Sequence, residues 1–326
     1  MTAGMTEEDT VFTVRDPAWH RLGTVLDGYP SRELAMQASG LDWSVVETDV
    51  WSETPNSFQK LAGFKALSRD DTGTTFAIVK GGYPVIQNEV GFDLLEALLE
   101  DQAVRLETGG SYGGGAHCYV SARITEEFFV NGDTSMYFPF AVVNWSHDGS
   151  ESMHGRVTNY RPVCQNTVSF GEAEGNKTGR QFTIRHAGNW QQRVAEAKGL
   201  LIGARDGAKA FQALANELAA VHVSQVDRRL FIQTFIPAPV GLVISDQVMD
   251  NINAERNKVA ALFNGPTIPE AHKDTAYGWL LAGGEYLDHL KGYRNQDTLT
   301  KRTLLSHSAF KAKLVPQIRR LVGSDA

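Results

Sequence analysis

The chain has 326 residues, 42% of them hydrophobic and 21% charged, with a formal net charge of -7. This ordinary globular composition leaves room for two domains of usual size and excludes collagen-like, disulfide-rich and wholly disordered chains. No apolar run approaches bilayer-spanning length, the start MTAGMTEEDT is acidic where a signal peptide is basic and then apolar, and two cysteines, Cys118 and Cys164, suit a reducing cytosol.

In chain order, Ser31 caps a short helix, RELAMQAS, that Gly40 ends, and LDWSVVETDVW alternates like a half-buried strand. KALSRDDTGTTFAIVK reads as a hairpin turning at Asp71-Thr72-Gly73. Asn88 is placed to cap a helix whose apolar stripe is Phe92, Leu94, Leu95, Leu98 and Leu99. AVRLETGG and AHCYVSARI form a second hairpin around GGSYGGG, and TSMYFPFAVVNW, RVTNYRPVCQ and QFTIRHA are strand-like. From Trp190 the period changes: Val194, Ala197, Leu201, Ala204, Ala208, Phe211, Leu214 and Leu218 recur at helical steps. Further helices are expected after Ser224, over 246–263, 269–291 and 306–322, with loops at Pro237/Pro239 and Gly265/Pro266. The fold class is α+β, a β-rich domain with an antiparallel sheet and inserted helices over 1–187 and a helical domain over 188–326.

Charge divides unevenly. Residues 1–150 carry 9 Lys+Arg against 22 Asp+Glu, a net -13, so 151–326 holds +6. Basic clusters stand at Arg180/Arg185/Arg193 and at Lys301/Arg302/Lys311/Lys313/Arg319/Arg320. A basic half attracts phosphate backbones, but solvated helix faces, or acidic and basic halves pairing in a homo-oligomer, explain it equally well.

Several stretches hold reactive residue types. Gly113, Gly114 and Gly115 offer bare backbone N–H groups as a ligand loop, though no Gly-Lys-Ser/Thr follows and a hairpin needs glycine there anyway. Cys164 lies downstream of His147 and His154, the ingredients of a nucleophilic thiol site, but at an apparent strand end, where a buried free cysteine is the plainer reading. His147, Asp148 and His154 lack any helical metal-ligand spacing, so no metal and no cofactor is expected. Asp148-Gly149 reads as a turn, with His147 and Asp148 as a local hydrogen-bonded pair, and in WHRLG Trp19 packs while Arg21 forms a salt bridge.

Four stretches carry a likeness: PAWHRLGT (17–24), YPVIQNEVGFDLLEAL (83–98), NWSHDGS with RPVCQNTV (144–150 and 161–168), and TAYGWLLAGGEYLDH (275–289). Together they resemble the phage- and plasmid-borne family described as domain of unknown function 932. The family pattern is closer to PWHGLG and NAVTEY, from which Arg21 and Ala282-Gly283-Gly284 depart. The resemblance implies a bacteriophage or other mobile-genetic-element origin, hence a host-cell cytosol, and transfers no catalytic residues. The β-rich half followed by a basic helical half is also similar in outline to ring-forming single-strand annealing proteins. The leading expectation is single-stranded nucleic-acid binding in recombination or replication, with Arg156, Arg161, Lys177, Arg180 and Arg185 on the backbone. A Cys164 hydrolase or transferase using His147 or His154, and a non-enzymatic protein that binds a host factor or builds an assembly, stand as alternatives.

Overall fold

The computed structural model describes residues 10–14, 23–99, 104–124, 127–161, 166–168, 181–186, 189, 191–192, 194, 196, 204–240, 244–292 and 311–323. The architecture is α+β, with sheets in the first half and helices in the second. Two compact units share the chain in alternating pieces: residues 1–125, 140–157 and 179–204 form one, and 126–139, 158–178 and 205–326 the other.

The strands are β1 (Val11–Val14), β2 (Thr24–Leu26), β3 (Val45–Thr54), β4 (Ser57–Arg69), β5 (Thr75–Lys80), β6 (Val104–Tyr112), β7 (His117–Ile124), β8 (Phe138–Ser146), β9 (Met153–Arg161), β10 (Asn166–Val168) and β11 (Gln181–Ile184). In the first unit the order is β9-β8-β7-β6-β1-β2, with β11 also on β9. β1 pairs β2 in parallel, whereas β1–β6, β6–β7 and β7–β8 are antiparallel. The hairpin expected around GGSYGGG is β6–β7, with Gly113, Gly114 and Gly115 at φ 67, 68 and 91.

Helices α1 (Arg32–Ala38) and α2 (Asn88–Leu99) belong to the same core, where Ala35, Met36, Phe92, Leu94 and Leu95 join Phe12, Leu106, Val120, Val143 and Trp145. Ser31 caps α1 by accepting from Leu34 N–H, and Gly40 follows at φ 61. The expected stripe of α2 is buried at Phe92, Leu94 and Leu95. Gly91 on the same helix comes so close to β8 that a Cβ there would stand 2.3 Å from the Trp145 ring. Asn88 begins α2, but its side chain is turned to Trp43, Trp145 and His147.

A separate three-stranded sheet, β3-β4-β5, contains the hairpin that turns at Gly73, φ 72. It also contains a hairpin absent from the sequence reading, β3–β4 through Thr54↔Ser57. Beyond Val45 the strand β3 is exposed or half-exposed rather than alternately buried, and β4 is exposed from Ser57 to Phe64. Neither face is covered from Ser57 to Phe64, so no period-2 pattern marks that part of β4, and the alternation read in LDWSVVETDVW does not correspond to alternate burial.

The second unit is built on α3 (Ala204–Ala220), α4 (Gln225–Phe235), α5 (Asp246–Leu262), α6 (Ala276–Glu285) and α7 (Lys311–Val322), with Phe128, Val130 and Tyr137 in its core. Ser224 and Asp227 make a reciprocal capping box on α4. The single helix expected over 269–291 is instead a 3-10 turn (Glu270–His272), α6 and a π turn (Tyr286–Leu290). Thr275 restarts the helix by accepting from Gly278 N–H at 3.3 Å. From Ala276 to Gly284 every residue is buried, with Trp279 stacked on Phe231 at 5.0 Å, so this helix shows no polar face.

Candidate functional site

Two segments of suspect chemistry meet at one end of the first unit's sheet. The register His117↔Ser146 sets the triple-glycine turn before β7 beside the Ser146–Glu151 turn after β8. His147 N–H donates to Ala116 O at 2.8 Å and locks the two together. Asp148 Oδ1 accepts from Ser150 N–H at 2.9 Å and Gly149 has φ 74, so Asp148-Gly149 is the expected turn. The glycine loop is met by Arg69: Nη1 donates to Gly114 O at 3.5 Å, and a Cβ on Gly115 would stand 3.0 Å from that nitrogen and from the Trp43 ring. Arg69 holds Asp71 through two hydrogen bonds, at 2.9 and 2.7 Å, with its guanidinium 4.5 Å over Trp43. These bonds keep the Asp71 carboxyl below the usual carboxylate range.

His147 occupies an aromatic box. Its ring lies 5.2 Å from Trp43 and 5.7 Å from Phe76. Asn88 Oδ1 stands 2.8 Å from its Nε2 and accepts Trp145 Nε1–H at 3.1 Å, while Asn88 Nδ2 donates to Trp43 O at 3.0 Å. Burial, and then the neighbouring His186, push the His147 imidazole down to about 3, so it is neutral at pH 7.

The local His147–Asp148 pair expected from sequence does not form. Asp148 Oδ2 lies 3.4 Å from His117 Nε2 instead, because His147 faces the box and its neighbour faces the turn. Burial opposes ionisation of Asp148, but the Ser150 hydrogen bonds and then His117 outweigh it and hold the carboxyl below its ordinary value. His117 stacks on Tyr112 at 4.8 Å, and His186 on Tyr83 at 5.1 Å with Nδ1 3.3 Å from Pro84 O. Burial, then Asp148, push Tyr83 up to about 12.

The other expected residues lie apart from this cluster or beyond the described residues. His154 Nδ1 is 3.0 Å from Thr183 Oγ1 across β9–β11. Arg156 is half-buried and donates to Asn144 Oδ1 at 2.9 Å, and Arg185 is exposed. Arg161 ends β9 with its side chain outside the described residues, as are Cys164, Lys177, Arg180, Trp19 and Arg21 entirely. Among the described residues no three His, Cys, Asp or Glu side chains are grouped to hold a metal. Sequence reasoning found His147, Asp148 and the glycines but missed Arg69, Tyr83, Asn88, His117 and His186. Tyr83 and Asn88 bound the YPVIQN run that carries part of the family likeness, which was the available signal.

A second feature is exposed rather than buried. Trp51 and Phe58, 57% and 69% exposed, stand on the β3–β4 ribbon, where Trp51↔Lys60 and Glu53↔Phe58 are opposed pairs. Opposed and alternate residues share a face, so both rings and Lys60 lie on one side. Asp49 holds Lys60 and Lys65 at 2.6 and 2.7 Å.

The family described as domain of unknown function (DUF932) matches residues 75–310, which include α2 and the second unit's helices α3 to α6. No curated protein and no solved structure matches the chain. Among the described residues no helix is long and apolar enough to cross a membrane.

Proposed function

The chain belongs to the DUF932 family, whose description carries no activity, and we propose that it binds single-stranded nucleic acid along the β3–β4 ribbon, as a DNA-binding or annealing factor in recombination or replication. The observation that carries this reading is the exposure of Trp51 and Phe58 on one face beside Lys60. Large aromatic rings held in water on a hydrogen-bonded ribbon are poor for solubility and good for stacking, since every base has a π-face. Arg185 is the one member of the expected phosphate-binding set described as exposed. Such a role suits the mobile-element origin that the resemblance implies.

Asp49 already neutralises much of Lys60 and Lys65. Stacking therefore outweighs charge, and with about two phosphate contacts the slope of log affinity against log salt is about -1.4. Anisotropy of a labelled oligothymidylate tests the proposal: Trp51→Ala and Phe58→Ala each weaken binding by about 5- to 150-fold, the loss of about 1–3 kcal/mol of stacking. Full affinity in the double variant, or affinity unchanged from 50 to 500 mM salt (roughly the range over which counterion release acts), overturns it.

A second reading, assembly of the chain with itself, is favoured by the other face of the same sheet. There Val46, Phe64 and Ile78 are 38%, 44% and 61% exposed. Sedimentation of wild type against Phe64→Lys/Ile78→Lys distinguishes it, since an assembly through this face loses mass in the variant and a monomer does not.

A further inference from the structure

Three buried polar atoms in the polar cluster lack a hydrogen-bond partner: Tyr83 Oη, His186 Nε2 and His117 Nδ1. Groups of this kind in native interiors are met by protein, ordered water or a ligand, and this cluster gathers three of them beside a carboxylate. Both imidazoles are oriented from the opposite ring nitrogen. His186 Nδ1 lies 3.3 Å from Pro84 O, which can only accept, so Nδ1 carries the hydrogen and Nε2 presents a bare lone pair. His117 Nε2 faces the Asp148 carboxylate at 3.4 Å and so carries a hydrogen. Burial lowers the His186 pKa and so keeps that ring neutral. Tyr83 retains its hydroxyl.

The cluster is therefore rich in acceptors and poor in donors. The His186 imine nitrogen and a phenol oxygen accompany one carboxylate, while the neighbouring cation, Arg69, is committed to Asp71. An anion would meet the Asp148 charge, and water brings no compensating charge. A primary ammonium brings three N–H donors and a positive charge. An approach exists at the turn, where Gly149 and Ser150 are exposed and the Asp148 side chain is 26% exposed. A Cβ on Gly149 would find only Tyr83 Oη within 4 Å, at 3.9 Å, so the buried hydroxyl lies directly beneath this exposed turn.

We infer that Tyr83, His186 and Asp148 form a binding site for a primary ammonium group, with His117 positioning the Asp148 carboxylate. The group belongs to a small free amine or to a lysine side chain. Site and ribbon are separate features, and neither proposal depends on the other.

The test uses the full chain, with n-propylammonium as the free amine, Nα-acetyl-lysine methylamide as the lysine source and n-propanol as the uncharged control. Saturable binding of either amine, with movement of the His186 Nε2 nitrogen resonance, is expected, and the tighter of the two identifies the source. Tyr83→Phe and Asp148→Asn, each checked for native circular dichroism, weaken it by about tenfold or more, as loss of a charge-assisted hydrogen bond should. Trp51→Ala leaves it unchanged, which separates this site from the nucleic-acid reading. A silent His186 resonance, an equal response to propanol, or full affinity in both folded variants overturns the assignment.

Discussion

Replacing His147 by Gln isolates the pH dependence of a single buried group. Gln reaches Asn88 Oδ1 with an amide N–H from about the place of the imidazole Nε2, and it does not titrate. The imidazole falls from 6.5 to about 3 in the fold, burial being the main cause. A lowered folded value means that the unfolded chain takes up the proton first as pH falls. The stabilisation by neutral His147 is thus complete above pH 6.5 and is lost as pH falls toward 3. Integrated over protons bound, the loss between pH 6 and pH 4 is about 2.5 kcal/mol. Asp49, Asp71 and Asp148, whose carboxyls are also held low, lose stabilisation over the acid range in both proteins and cancel in the comparison. Urea unfolding followed by tryptophan fluorescence at pH 6, 5 and 4 gives the difference directly. The variant is less stable at pH 6, and its deficit shrinks or reverses by about 2.5 kcal/mol at pH 4. Parallel curves would refute the claim that His147 is neutral in the fold.

Two further substitutions test the packing beneath this site. Gly91→Ala normally stabilises a helix interior, but here the added methyl meets the Trp145 ring, so a destabilisation of about 1–3 kcal/mol and a lower Tm are expected; an unchanged or raised Tm would show that α2 and β8 are not so close. Asn88→Ala strips partners from Trp145 Nε1, His147 Nε2 and Trp43 O together, and is expected to destabilise by about 2–4 kcal/mol in urea unfolding. Asn88→Asp restores the acceptor alone and should recover part of that loss.

What the sequence disclosed depended on the range of the physics involved. The turns at Gly40, Gly73, Gly113 to Gly115 and Gly149 need positive φ, a demand met by single residues, and all were legible. Elements whose signal is a contrast between two faces were legible only where the contrast exists. It is missing from Ser57 to Phe64 of β4, exposed throughout and read as no element, and on α6, where a helix was expected but nine consecutive buried residues gave no sign of its ends. The cluster is harder still, because its parts are assembled by register and crossover: His186 reaches Pro84 across 102 positions and Asn88 reaches His147 across 59. Residue type marked His147 and the glycines as reactive, yet only the pairing His117↔Ser146 decides that Asp148 meets His117 rather than its own neighbour.

The two proposed sites depart from ordinary globular economy in opposite directions. On the ribbon, apolar rings remain in water although neither composition nor charge requires it. In the cluster, polar atoms are taken out of water without partners. Each departure leaves the isolated chain short of an interaction, and a bound molecule relieves it only if its chemistry is the complement: π-faces for the ribbon, N–H donors with positive charge for the cluster. The chemistries are opposite enough for one titration series to separate them. Oligothymidylate should quench Trp51 without moving the His186 resonance, and an amine should move that resonance without quenching Trp51. If either ligand produced both responses, the two features would have to be reread as parts of one site.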